Sequence, residues 1–144
     1  MIRTQSELHV AASPEVVFDR FVDMRNDLHW NPLAVEMTKA TEGGIGNGTR
    51  FEGKMKRVGP MHMVVTQFDR PRAFKSSGGS RGADVDYSAT FEPADGGTRI
   101  RTQLEMEPKG ISKLFAPLMA RQVPKQEEQA MQSFKRWVES SGTS

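Results

Sequence analysis

Few side chains in this 144-residue sequence could do more than pack. There is no cysteine, which excludes thiolate nucleophiles, thiolate metal sites and disulfides. The only histidines are His9, His29 and His62. No two of them have the helical or hairpin spacing of a zinc site, so no metal is expected. Asp19, Asp23 and Asp27 recur every four residues opposite Val17, Phe18 and Phe21, which reads as the solvated face of a helix rather than an acid–base pair. "GGIGNG" at 43–48 lacks a following Gly-Lys-Ser/Thr and precedes a strand, so it is not a phosphate loop. The sole tyrosine, Tyr87, alternates with Val85 and Ala89 on an apolar strand face. A buried phenol needs a partner, and Thr102 and Gln67 are the polar candidates. No Asp, Glu, His or Lys is expected on that face, which argues against catalysis.

One aromatic residue stands out by its place. In "DMRNDLHWNPLAVEM", residues 23–37, Trp30 directly precedes Asn31-Pro32, just past a helical pattern. Such an indole is either a wall of a binding surface or a plug in a core. Arg50, Lys54, Lys56, Arg99 and Arg101 take outward strand positions. They could meet an acidic partner, but ordinary solvation accounts for them.

The elements that must position these residues follow from periodicity. Ile2, Thr4, Ser6, Leu8 and Val10 share one face of a first strand. Ser13 then caps a helix with Pro14 at its first position, and Val17, Phe18, Phe21 and Val22 form its apolar face. A short helical turn over Met24–His29 must end before Pro32. Strands are predicted over "LAVEMTKA", "TRFEGKMKRV", "MHMVVTQF", Ala73–Ser77, "VDYSATFEP" and "TRIRTQLEME". "SGGSRGAD" is expected to be a loop, and "ADGG" a tight hairpin turn. Ile111, Leu114, Phe115, Leu118 and Met119 begin a helical template that Ala130, Phe134, Trp137 and Val138 resume. Pro117 suits the start of the long helix after a short lead-in turn, and Pro124 should bend it. One sheet with a single apolar face, covered by a long helix, is the natural assembly.

Composition bounds the rest. The chain is 36% hydrophobic and 26% charged, with net charge +2. That suits one globular domain over residues 1–144, and neither a disordered chain nor a nucleic-acid footprint. No run is long and apolar enough to span a membrane, and the first ten residues have no signal-peptide core. A cytoplasmic protein is expected.

The order of elements resembles the helix-grip fold of the START-like superfamily, also called SRPBCC or polyketide cyclase/dehydrase and lipid transport. "ASPEVVFDRFVD", "WNP" (30–32), "GTRFEG" (48–53), "VVTQFDRPRAF" (64–74), "GGTRIRTQLEME" (96–107) and the Leu/Met/Phe-rich terminal helix carry it. The resemblance implies an α+β fold: a curved antiparallel sheet of about seven strands around a long C-terminal helix, with one or two short helices after the first strand. It also implies an apolar ligand site between sheet and helix, lined by Phe51, Met55, Met63, Val65, Phe74, Tyr87, Ala89, Phe91, Ile100, Thr102 and Leu104. Phe115, Leu118, Met119 and Gln122 would face them from the helix, and Trp30 would wall the entrance. Nine methionines would make that wall adaptable; a dry core is the alternative.

The function so implied is binding or transport of a small hydrophobic ligand, lipid-like or polycyclic, by a monomer or weak dimer. No cofactor is expected, no nucleic acid partner and no integral membrane association. Two alternatives remain: a cyclase/dehydratase-type enzyme on a polyketide-like substrate, with no catalytic residue assigned, and a chaperone-activator-like interaction module.

Overall fold

The computed structural model describes residues 1–140. Strand β1 (Ile2–Val10) leads into helix α1 (Pro14–Val22), a 3-10 turn (Met24–Asn26) and the short α2 (Asp27–Trp30). Six strands follow: β2 (Ala34–Lys39), β3 (Arg50–Met55), β4 (Gly59–Asp69), β5 (Ala73–Ser80), β6 (Ala83–Ala94) and β7 (Gly97–Pro108). A 3-10 lead-in (Gly110–Phe115) then opens α3 (Ala116–Ser140). The sheet is antiparallel throughout, in the order β1-β7-β6-β5-β4-β3-β2. The first strand therefore pairs with the last.

Local chemistry explains the joints. Val16 N–H donates to Ser13 Oγ (3.3 Å) at the start of α1, and Pro14 occupies the first turn. Asp23 ends α1 and caps the following 3-10 turn. Between β6 and β7, Asp95 (φ 49°) and Gly96 (φ 76°) take the paired left-handed conformations of a type I′ turn.

The core lies between the sheet, α1 and the C-terminal half of α3. Phe18 and Phe21 of α1 meet Phe91 of β6 edge to face, and Phe21 meets Phe134 of α3 in the same way. Each such ring, fully buried, contributes about 1.5–3 kcal/mol. At its far end α3 is tied to the first strand: Lys135 Nζ donates to the His9 carbonyl (2.6 Å), and Ala11 N–H donates to Glu139 (2.8 Å). Pro124 sits inside α3, where its ring removes the bond to the carbonyl four residues earlier.

Two expectations need correction. "SGGSRGAD" is not a loop: β5 runs to Ser80 and β6 starts at Ala83, so Arg81 and Gly82 alone make the turn. A Cβ on Gly78 would lie 2.0 Å from the His62 carbonyl oxygen; glycine is there for the close approach of β5 to β4. Gln67 does not face Tyr87. A bulge between Val65 and Gln67 adds a residue to β4, so Val65 stays buried, Gln67 is exposed, and Phe68 turns in to meet Phe18 at 5.2 Å. The lead-in expected before Pro117 is present as the 3-10 segment, so the apolar template from Ile111 is divided between it and α3. The 3-10 lead-in turns about 120° per residue instead of 100°, so its apolar residues fall out of phase with those of α3.

Candidate functional site

The register sets out the inner face of the sheet in lines. Thr4, Leu104, Tyr87, Ser76 and Val65 pair across β1, β7, β6, β5 and β4. One line along, Ser6, Thr102, Ala89 and Phe74 do the same. The face divides in two. Where α1 and the end of α3 cover it, it is dry and aromatic. Elsewhere Met55, Met61, Val85, Tyr87, Met106 and Met119 pack against the core yet stay half-buried.

A polar cluster stands where those halves meet. Glu127, on α3, points to the sheet and accepts a hydrogen bond from the Tyr87 hydroxyl (2.6 Å) and a longer one from Thr102 Oγ1 (3.5 Å). Thr102 in turn bonds the Ser6 hydroxyl, and the Tyr87 hydroxyl also lies 3.8 Å from Met131 Sδ. Burial raises the Glu127 carboxyl above its usual value, although the Tyr87 and Thr102 hydroxyls oppose this. Tyr87 is pushed well above 10, first by burial and then by the Glu127 charge. Asp27, in α2, is raised from 3.8 to about 8, by burial first and then by the charges of Asp23 and Glu127. Glu127, Asp27 and Tyr87 are densely surrounded by protein, yet each keeps accessible surface.

Among the described residues two buried side-chain polar atoms have no hydrogen-bond partner. They are Ser76 Oγ, beside Tyr87 in the sheet, and Trp30 Nε1. An unpaired buried polar group costs about 1–3 kcal/mol, so both are groups a ligand could satisfy.

The sequence-predicted residues fall into distinct sets. Phe51, Met63, Val65, Phe74, Ala89, Phe91, Ile100, Thr102 and Leu104 lie on the inner face and are buried. Met55, Tyr87 and Met119 line its half-buried part. Trp30 is no rim residue: it is 8% exposed, stacked at 6.3 Å on Phe21 and edge-on to Phe134 at 5.2 Å, because the short α2 turns it inward. Phe115 and Leu118, expected inside, are exposed, as is Gln122.

Asp27 is not on a solvated face either. The 3-10 turn after Asp23 breaks the four-residue spacing and turns it inward. Glu127, Ser76 and Met61 were not assigned to the site from the sequence, and Asp27 was read there only as part of a solvated helix face. Glu127 had a signal: it shares a helical stripe with Val123, Ala130, Met131 and Phe134. The outward Arg99 and Arg101 are held by Glu7 and Glu92 at 3.0–3.5 Å. Among the described residues no cluster of three metal-ligating side chains occurs, and no helix is long and apolar enough to cross a membrane.

A curved seven-stranded sheet gripping a long terminal helix, with a partly open inner face, defines a START-like helix-grip domain. The chain belongs to the polyketide cyclase / dehydrase and lipid transport family, whose pattern matches residues 1–139. No curated protein matches it in sequence. Among solved structures it is similar to TTHA0849 from Thermus thermophilus, with TM-score 0.81 and 15% identity over 97% of this chain and 99% of that one. A START superfamily protein from Mycobacterium smegmatis gives TM-score 0.73 and 15% identity, over 95% and 94%. The Aha1 dimer from Colwellia psychrerythraea gives 0.70 and 14%, over 99% of each chain. At such identities the likeness concerns the fold.

Proposed function

We propose that the half-buried part of the inner face binds a small hydrophobic ligand carrying at least one hydroxyl or carbonyl group. The observation that supports this best is the pairing of a methionine wall (Met55, Met61, Met106, Met119) with unpaired or strongly polarised groups behind it. Ser76 Oγ is an unpaired polar atom, and Tyr87 and Glu127 form a donor–acceptor couple. Adaptable apolar walls with a few placed polar groups are what such sites consist of. Titration with an uncharged environment-sensitive apolar dye tests it. Saturable binding near one dye per chain is expected, and Met61→Trp, which fills the wall, should weaken it. Folded protein that takes up no dye at micromolar concentration would overturn the proposal.

A second reading draws on one further observation. Interior ionisable groups, which the sequence did not promise, are present. A carboxyl at about 8 (Asp27) beside an acceptor carboxyl (Glu127) is the separation of acid and base roles that environment creates in enzymes. This favours a cyclase/dehydratase-type activity. Its mark would be turnover of a polyketide-like substrate that Glu127→Gln abolishes while ligand binding persists.

A further inference from the structure

The start of the terminal helix carries a surface that the core does not explain. Ile111 is 76% exposed, Leu114 77%, Phe115 55% and Leu118 51%. Single exposed apolar residues are ordinary, but four large ones within eight positions form a patch. Their sequence neighbours are of one sign. Residues 108–126 hold Lys109, Lys113, Arg121 and Lys125 and no Asp or Glu. The β5–β6 turn adds Arg81: it lies against this segment, where Lys109 N–H donates to the Gly82 carbonyl (3.0 Å).

Lys109 is neutralised by Asp84 at 2.9 Å. Lys113, Arg121, Lys125 and Arg81 are exposed, and no ion pair holds them among the described residues. That contrasts with the outer sheet face, where Arg99 and Arg101 are each held by two carboxylates. The charge of this segment is thus free to meet something outside the chain.

The arrangement has depth as well as sign. Ile111, Leu114 and Phe115 occupy the lead-in, and Leu118 the first turn of α3. Arg121 and Lys125 follow Leu118 at three and seven positions, on the same outward stripe of the helix. Lys113 stands among the apolar side chains, and Arg121 and Lys125 follow about one to two turns behind them. This is the order of an interfacial segment whose apolar end enters the acyl boundary while its cations stay at phosphate level.

We propose that this surface docks the protein on an anionic lipid bilayer, peripherally and reversibly. A second copy of the chain is a poorer occupant, because a two-fold contact would set this basic segment against itself. The proposal is independent of what the inner face binds.

Vesicle co-sedimentation tests it, using phosphatidylcholine vesicles with and without phosphatidylglycerol. Binding is expected on the anionic vesicles, weakened by added salt, with little on the neutral ones. Leu114→Asp with Phe115→Asp, and separately Lys113→Glu with Arg121→Glu, should each lower the partition coefficient by about tenfold or more. Both pairs change exposed side chains, so unaltered thermal melts would show that folding is intact. Arg50→Glu with Lys54→Glu, the same charge change on β3, should have a clearly smaller effect.

Three results would overturn the proposal. Absence of binding to anionic vesicles at low salt would leave an acidic protein surface as the occupant. Equal loss with the β3 variants would reduce the effect to general charge. A dimer in sedimentation equilibrium that Leu114→Asp dissolves would assign the patch to self-association.

Discussion

Asp27→Asn should stabilise the protein, and by an amount that depends on pH. Burial, and then the charges of Asp23 and Glu127, raise the Asp27 carboxyl from 3.8 to about 8 in the fold. The folded state thus holds this proton more tightly than the unfolded chain does. At low pH, below the unfolded value, both states are protonated and the shift costs nothing. As pH rises toward the folded value, the unfolded chain sheds its proton and the fold keeps it. Stability then falls by about 1.4 kcal/mol per pH unit. Over the whole interval that is on the order of 5 kcal/mol, which access of water to a half-buried carboxyl reduces to about 2–3 kcal/mol. Asparagine has the same shape and no proton to lose. Urea unfolding of both proteins between about pH 4 and pH 9 should therefore give nearly equal stabilities at the acid end. At the alkaline end the variant should lead by about 2–3 kcal/mol. A difference that is flat with pH would refute the reasoning, as would an asparagine variant that is the weaker protein at high pH.

Two further substitutions test the packing. Trp30→Ala empties the space between Phe21 and Phe134 and should cost about 3–5 kcal/mol in chemical denaturation; a loss below about 1 kcal/mol would return Trp30 to the surface. Gly78→Ala drives a methyl into the His62 carbonyl and should lower the melting temperature markedly. Gly44→Ala, whose Cβ meets nothing within 4 Å, should leave it almost unchanged.

The strands and helices were legible because their periods were clean. The first strand, the face of α1 and the "ADGG" hairpin all take their predicted places. What escaped the sequence depended on one-residue changes of phase. The bulge in β4 exchanged Gln67 for Phe68, and the 3-10 turn before α2 carried Asp27 inward. Another 3-10 segment before α3 put Phe115 into solvent, and Leu118 lies on α3 to one side of its buried stripe through Val123, Ala130 and Phe134. The site suffered most, because its polar members, Glu127 and Ser76, sit where a hydrophobicity pattern registers an interruption rather than a feature. The close approach at Gly78 was equally hidden, since it depends on a strand fifteen or so residues away and not on its own neighbours.

The pairing of β1 with β7 alone governs how the protein can be made. Residues 2–10 find their hydrogen-bonding partners only at 98–106, and the helix that ties down the strand's end lies later still, with Lys135 and Glu139. Closing so long a stretch of chain delays the reward for ordering it. During synthesis the N-terminal strand must wait, unpaired, until residues 98–106 have left the ribosome. A shortened chain lacking α3 would emerge with β1 poorly held and the aromatic core uncovered, a species suited to aggregation rather than to partial function.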